Sequence, residues 1–137
     1  MHLETMEGQD GLARVWPILT RSLGRTDASA RARVRRTYRQ ATLLHAHDGG
    51  PPLGVIGVRL DGAQGEILHI AVSPAWERRG LGRWMVESVR AAHPEVAVWS
   101  AQTDDDAVGF YRALGFAVLD LGEGDPGVRR CSCRRGP

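Results

Sequence analysis

The chain has 137 residues, 42% hydrophobic and 25% charged, with a formal net charge of +2. That length suits one domain with one core, and the apolar content is too high for a disordered chain. So small a net charge supplies no bulk field for nucleic acid or membrane, and no apolar run reaches the ~20 residues of a membrane span.

The opening MHLETMEGQD is acidic and lacks a basic stretch followed by an apolar one, so no signal peptide is expected. A leading strand is predicted at 2–5. Over 11–23, Leu12, Val15, Trp16 and Leu19 fall at helical spacing, with Pro17 predicting a kink or a late start. Residues 29–38 predict a second helix with Ser29 as N-cap, its arginines forming a solvated face. Strands at 42–47 and 53–60 are joined by HDGGPP; DGAQG turns into the next strand, 66–72. The helix 80–93 puts Leu81, Met85, Val89 and Ala92 on one stripe, and Pro94 closes it. A strand at 96–100 precedes a helix over 104–114, started by Asp104 and capped by Gly115. Strands 117–121 and 128–133 form a hairpin around GEGDPG. No repeat or linker interrupts this mixed α/β (α+β) chain, so a single domain over 1–137 is expected.

Cys131 and Cys133 are too close for an ordinary disulfide, and with no further cysteine they make no zinc site. A cytoplasmic protein without a metal is expected. All 18 basic residues are arginine, which removes Walker-type phosphate loops and Schiff-base chemistry, both of which need lysine.

The stretch 70–85, IAVSPAWERRGLGRWM, concentrates glycine and arginine at one strand-to-helix junction. Pro74 ends the strand ladder, and the first amides of the following helix have no intrahelical partner. Gly80 and Gly82 let a ligand approach those amides closely, while Arg78, Arg79 and Arg83 add charge to the helix dipole. Together these make an anion site, most plainly for phosphate. The bland alternative is a tight connection with solvated arginines. A Rossmann fingerprint is absent: residue 85 is Met, and the glycines do not follow the strand directly.

V-S-P-A-W-E-R-R-G-L-G (72–82) resembles the acetyl-CoA signature of the GNAT superfamily of N-acetyltransferases. A-V-G-F-Y-R-A-L-G-F (107–116) resembles that family's second motif, and the likeness covers 53–121. It implies the GNAT-type acyl-CoA N-acyltransferase fold, a mostly antiparallel sheet with helices on both faces and strands 66–72 and 96–100 splayed apart. It also implies acetyl-CoA as co-substrate, its pantetheine arm pairing with the backbone of Ile70, Ala71 and Val72. Arg78, Arg79, Gly80, Leu81, Gly82 and Arg83 would hold its phosphates. Two positions depart from the pattern: Glu77 stands where Arg or Gln is preferred, and Asp104 where an Asn often contacts the cofactor.

Acyl transfer to an amine needs a neutral nucleophile, a stabilised carbonyl oxygen and a proton for the departing thiolate. The resemblance makes Tyr111 the general acid, on a helix face shared with Asp104, Val108 and Gly115; a core tyrosine is the alternative. Glu66 is the expected base, directly or through water, with His69 its rival. Strand alternation sets Glu66, Leu68 and Ile70 on one face and His69 on the other, unless a bulge intervenes. His45 and His47 are expected to be exposed, and Phe110, Trp76, Trp84 and Trp99 to pack, with Trp99 a candidate wall of the cofactor slot. The acceptor, a small-molecule or peptide amine, could be held by Arg21, Arg25 and Arg31 if acidic, or by Glu123 and Asp125 if cationic. A monomer or homodimer is expected, without nucleic acid or membrane. A catalytically silent acetyl-CoA-binding sensor or partner module is the alternative reading.

Overall fold

The structure, a computed structural model, describes residues 1–103, 105–123 and 129–136. Its elements run β1 (His2–Met6), α1 (Gly8–Leu19), α2 (Ala28–Thr37), β2 (Thr42–His47), β3 (Gly54–Asp61), β4 (Gln64–Val72), α3 (Leu81–Ala92), β5 (Val98–Thr103), α4 (Asp105–Ala113), β6 (Ala117–Glu123) and β7 (Arg129–Arg135). The strands form a seven-stranded sheet in the order β1-β2-β3-β4-β5-β7-β6. Every neighbouring pair is antiparallel except β4 and β5. The expected meander is there, as are the crossover helix α3 and the final strand pair.

Local chemistry sets the helix ends. Asp27, not Ser29, caps α2: its Oδ1 accepts from the Ala30 amide at 2.9 Å. That bond, with Arg25 beside it, holds the Asp27 carboxyl below its ordinary range. Pro17 lies inside α1, which then tightens into a 3-10 turn at Thr20–Ser22. At the end of α4, Gly115 takes φ +87°. Its amide bonds the Arg112 carbonyl at 3.0 Å, and the Phe116 amide bonds the Tyr111 carbonyl at 3.0 Å. This is a Schellman motif, and its usual apolar contact is made here by the rings of Tyr111 and Phe116, edge to face at 5.2 Å.

Apolar residues on the two sheet faces build separate cores. Leu12, Val15 and Leu19 of α1 and Val34 of α2 pack on Leu43, Val55 and Ala71. On the opposite face Leu81, Met85, Val86 and Val89 of α3 pack with Tyr111, Leu114 and Phe116 against Ile56, Val58, Ile67 and Trp99. Helices thus cover both faces, as expected.

The departure from strand periodicity lies in β4. Gly57 pairs with His69 and Val58 with Ile67, so Leu68 is an extra residue, a bulge. Ile67 and Ile70 consequently face the same core, three positions apart. The alternation expected from sequence therefore breaks, and Glu66, His69 and Ala71 share the α1/α2 face. The bulge also marks where the sheet opens. β4 and β5 pair only over Gln64–Ile67 and Val98–Ala101, although β4 continues to Val72. Beyond Ile67 the edge of β4 that faces β5 has no strand beside it among the described residues.

Candidate active site

Two cavities occupy this splay. The first, of about 290 Å³, is lined by Ile70, Ala71 and Val72 of β4, Gly82 of α3, and Ala107 and Phe110 of α4, with Arg21 and Glu77 at its rim. The second, of about 360 Å³, is lined by Leu68, His69 and Ile70, by Gln102 and Thr103 of β5, by Tyr111, and by the segment Arg21–Gly24. Both share Arg21, Ile70 and Ala107 as walls. The bulge thus sets the two cavities side by side, one reaching Gly82 of α3 and the other Tyr111.

The glycine turn leaves the first amides of α3 without side-chain partners. Gly80 is the N-cap of α3 at φ +79° and has no side chain to satisfy the first-turn amides. Arg78 also takes a left-handed φ, +61°, which turns the backbone sharply just before them. A Cβ on Gly82 would lie 3.1 Å from the Phe110 ring, and both residues line the first cavity. Arg79 stacks over the Trp76 ring at 4.8 Å, which holds the guanidinium beside the turn.

Glu77 is neutralised. Its carboxylate is ion-paired with Arg21, and both line the first cavity. The pairing offsets the negative charge that this glutamate would otherwise bring to the cavity. Of the three arginines considered for an acidic acceptor, only Arg21 lines the cavities. Arg25 bonds Asp27 at 2.6 Å, and Arg31 lies over Trp16 at 5.0 Å.

Tyr111 is buried, 3% exposed, and its ring meets Phe110 and Phe116 edge to face. It is both a core residue and a wall of the second cavity. Phe110, expected only to pack, also walls the first cavity. Trp99 is 2% exposed, within the core, and lines neither cavity of the splay.

The structure does not bring Glu66 to Tyr111. Its carboxylate pairs with Arg59 at 3.1 Å and lines a separate depression with Ser100. His69 does line the Tyr111 cavity. Its Nδ1 lies 2.5 Å from the Tyr38 hydroxyl, and burial lowers its pKa to about 4. Burial also pushes the Tyr38 phenol above its ordinary range, so the pair is neutral at pH 7. Sequence reasoning missed Tyr38. The available signal was Gly57 inside an otherwise bulky strand: a Cβ there would collide with the Tyr38 oxygen.

Asp104, Asp125 and the turn between β6 and β7 lie outside the described residues. His45, expected to be exposed, is 5% exposed, and His47 is half-buried. No helix among the described residues is long and apolar enough to cross a membrane.

This fold is that of the acyl-CoA acyltransferases. Residues 39–118 match the acetyltransferase (GNAT) domain, and the chain belongs to that family. It is 29% identical to the PanD regulatory factor of Salmonella typhimurium over 125 residues, 86% of this chain and 90% of that protein. It is also 35% identical to a peptidyl-lysine N-acetyltransferase of Escherichia coli over 49 residues, 36% of this chain and 34% of that one. A GNAT family acetyltransferase from Elizabethkingia anophelis, solved with acetyl-CoA bound, superimposes with a TM-score of 0.77 at 13% identity, covering 99% of this chain and 97% of that one.

Proposed function

We propose that this protein is an acetyl-CoA-dependent N-acetyltransferase that moves the acetyl group directly to a primary amine of a small molecule or peptide. The observation that carries the reading is the pair of adjoining cavities between β4 and α4, one walled by Gly82 in the first turn of α3 and the other by Tyr111 and His69. Phosphates would meet the Leu81, Gly82 and Arg83 amides, with Arg78 and Arg79 beside them. The pantetheine arm would pair with the open edge of β4 at Ile70–Val72, as an added strand does. Asp104 stays a proposed cofactor contact from the sequence alone.

In the reaction the amine nitrogen attacks the thioester carbonyl carbon, the C–N bond forms and the C–S bond breaks. Tyr111 gives its phenolic proton to the departing sulfur. One proton must leave the nitrogen, and its return to the Tyr111 phenolate through solvent restores the enzyme. His69 suits its removal better than Glu66, because it lines the same cavity and is neutral. A base with a pKa of about 4 cannot strip a free alkylammonium, whose pKa is ~10. His69 therefore acts late, on a nitrogen made acidic by the new C–N bond, and the amine must arrive neutral. Water is the other acceptor for this proton.

This reading takes the chain as one cytoplasmic domain, monomeric or homodimeric, acting on an amine without nucleic acid or membrane. Tyr111→Phe tests it: single-turnover transfer should fall tenfold or more while acetyl-CoA affinity holds. A second reading, an acetyl-CoA-binding partner that acetylates nothing, is favoured by one observation, the likeness to the PanD regulatory factor over most of the chain.

A further inference from the structure

The edge of the sheet farthest from β6 carries a second cluster of chemistry. In the β1/β2 ladder His2 pairs with His47 and Glu4 with His45. Alternation puts His2 and Glu4 on one face of β1, and His45 and His47 on the same face of β2. The contacts agree: the His47 ring stacks on His45 at 4.8 Å and lies 5.5 Å from that of His2. One ligand atom from each of Glu4, His45 and His47 falls within 4.8 Å of the others.

We propose that His45, His47 and Glu4, juxtaposed across β1 and β2, form a zinc-class metal site whose fourth position is left to solvent. Three details support it. His45 Nδ1 lies 3.2 Å from the Glu4 carbonyl oxygen, which only accepts, so Nδ1 carries the proton and Nε2 offers a lone pair. His47 Nε2 is buried and lies 3.0 Å from a Glu4 carboxylate oxygen, yet makes no hydrogen bond. Such a spacing is close to the ~3.3 Å expected between tetrahedral ligands with bonds of ~2.0–2.2 Å. Nitrogen with carboxylate and no thiolate suits Zn(II), Co(II) or Ni(II).

Coordination through His47 Nε2 requires its proton on Nδ1, which now accepts from the Gly49 amide at 2.9 Å. That bond must open, and Gly49 sits in the exposed turn between β2 and β3, where a Cβ would meet nothing within 4 Å. The ion would clamp the edge strand β1 to β2. None of its ligands lines the acetyl-transfer cavities, so the site is independent of the proposed reaction.

The test uses the untagged full chain, stripped with a chelator and titrated with Co(II), then with Zn(II) in competition with a chromogenic chelator. The account expects one equivalent, tetrahedral Co(II) absorption, and loss of the Gly49 amide hydrogen bond by NMR. Glu4→Gln, at an exposed position, and His47→Ala should each weaken binding at least tenfold. His93→Ala, at the exposed end of α3, should leave it unchanged. The proposal fails if no tetrahedral spectrum forms, or if Glu4→Gln and His47→Ala bind as wild type does.

Discussion

The Tyr38 hydroxyl lies 2.5 Å from His69 Nδ1, in space that a Cβ on Gly57 would fill. The bulge at Leu68 brings His69 to that face, and Tyr38, at the C-cap of α2, reaches it from above. A helix end, a strand glycine and a bulge in the adjacent strand thus fix one imidazole at the opening of the sheet.

That burial gives stability a definite pH dependence. The His69 pKa falls from 6.5 in the unfolded chain to about 4 in the native protein. Between those values the unfolded state binds a proton that the native state does not. Stability is therefore full above pH 6.5, and it declines as pH drops towards 4. The loss amounts to about 3 kcal/mol, at ~1.4 kcal/mol per pH unit. Urea denaturation across this window should show a markedly smaller slope in His69→Gln. Some slope should remain, because burial lowers His45 as well. An unchanged slope would refute the buried, neutral His69.

The choice of base is decided by comparing two variants. His69→Gln should slow single-turnover transfer by about tenfold or more, within the usual range for a general base. Glu66→Gln, which removes a carboxylate paired with Arg59, should leave the rate within about threefold. The reverse outcome would return the role to Glu66, and unchanged rates in both would assign the proton to water.

The Arg21–Glu77 ion pair should matter through what it hides. Arg21→Ala leaves an uncompensated carboxylate on the wall of the first cavity, where it would repel the phosphates of the proposed cofactor. Acetyl-CoA affinity measured by calorimetry should weaken by about two- to fivefold, the scale of one exposed charge contact. Adding Glu77→Gln should restore it. Additive losses in the double variant would show that Arg21 binds the ligand directly.

The strands and the α3 stripe were legible in the sequence because turn residues and apolar periodicity agree there. The GNAT signature marked Gly80, Gly82 and Tyr111 for the same reason, since each carries a local backbone or spacing requirement. The bulge was not legible. Nothing in E-I-L-H-I signals an extra residue, and a period-2 reading sends His69 to the wrong face. The Arg21–Glu77 and Tyr38–His69 pairs join residues far apart in the chain, so only the fold brings them together.

Gly82→Val tests the glycine turn. Its side chain would enter the space against Phe110, 3.1 Å from the new Cβ, and block the path to the α3 amides. Wild type should gain about 2.7 kcal/mol at a hundredfold excess of acetyl-CoA over Kd, seen as a rise in Tm. The variant should fold, with its apo Tm near that of wild type, and show no rise. An equal rise in both would remove the glycine turn from the binding site.

The central claim is acetyl transfer to an amine, and amine-dependent release of CoA measures it directly. Purified protein with acetyl-CoA is challenged with a panel of small primary amines and N-terminal or lysine-bearing peptides. Thiol release and product mass are followed together. The account predicts that at least one acceptor produces CoA and its N-acetylated form in equal amounts, at a rate lowered tenfold or more by Tyr111→Phe. Stoichiometric acetyl-CoA binding with no acetylated product from any acceptor would contradict it, leaving a binding partner in place of an enzyme.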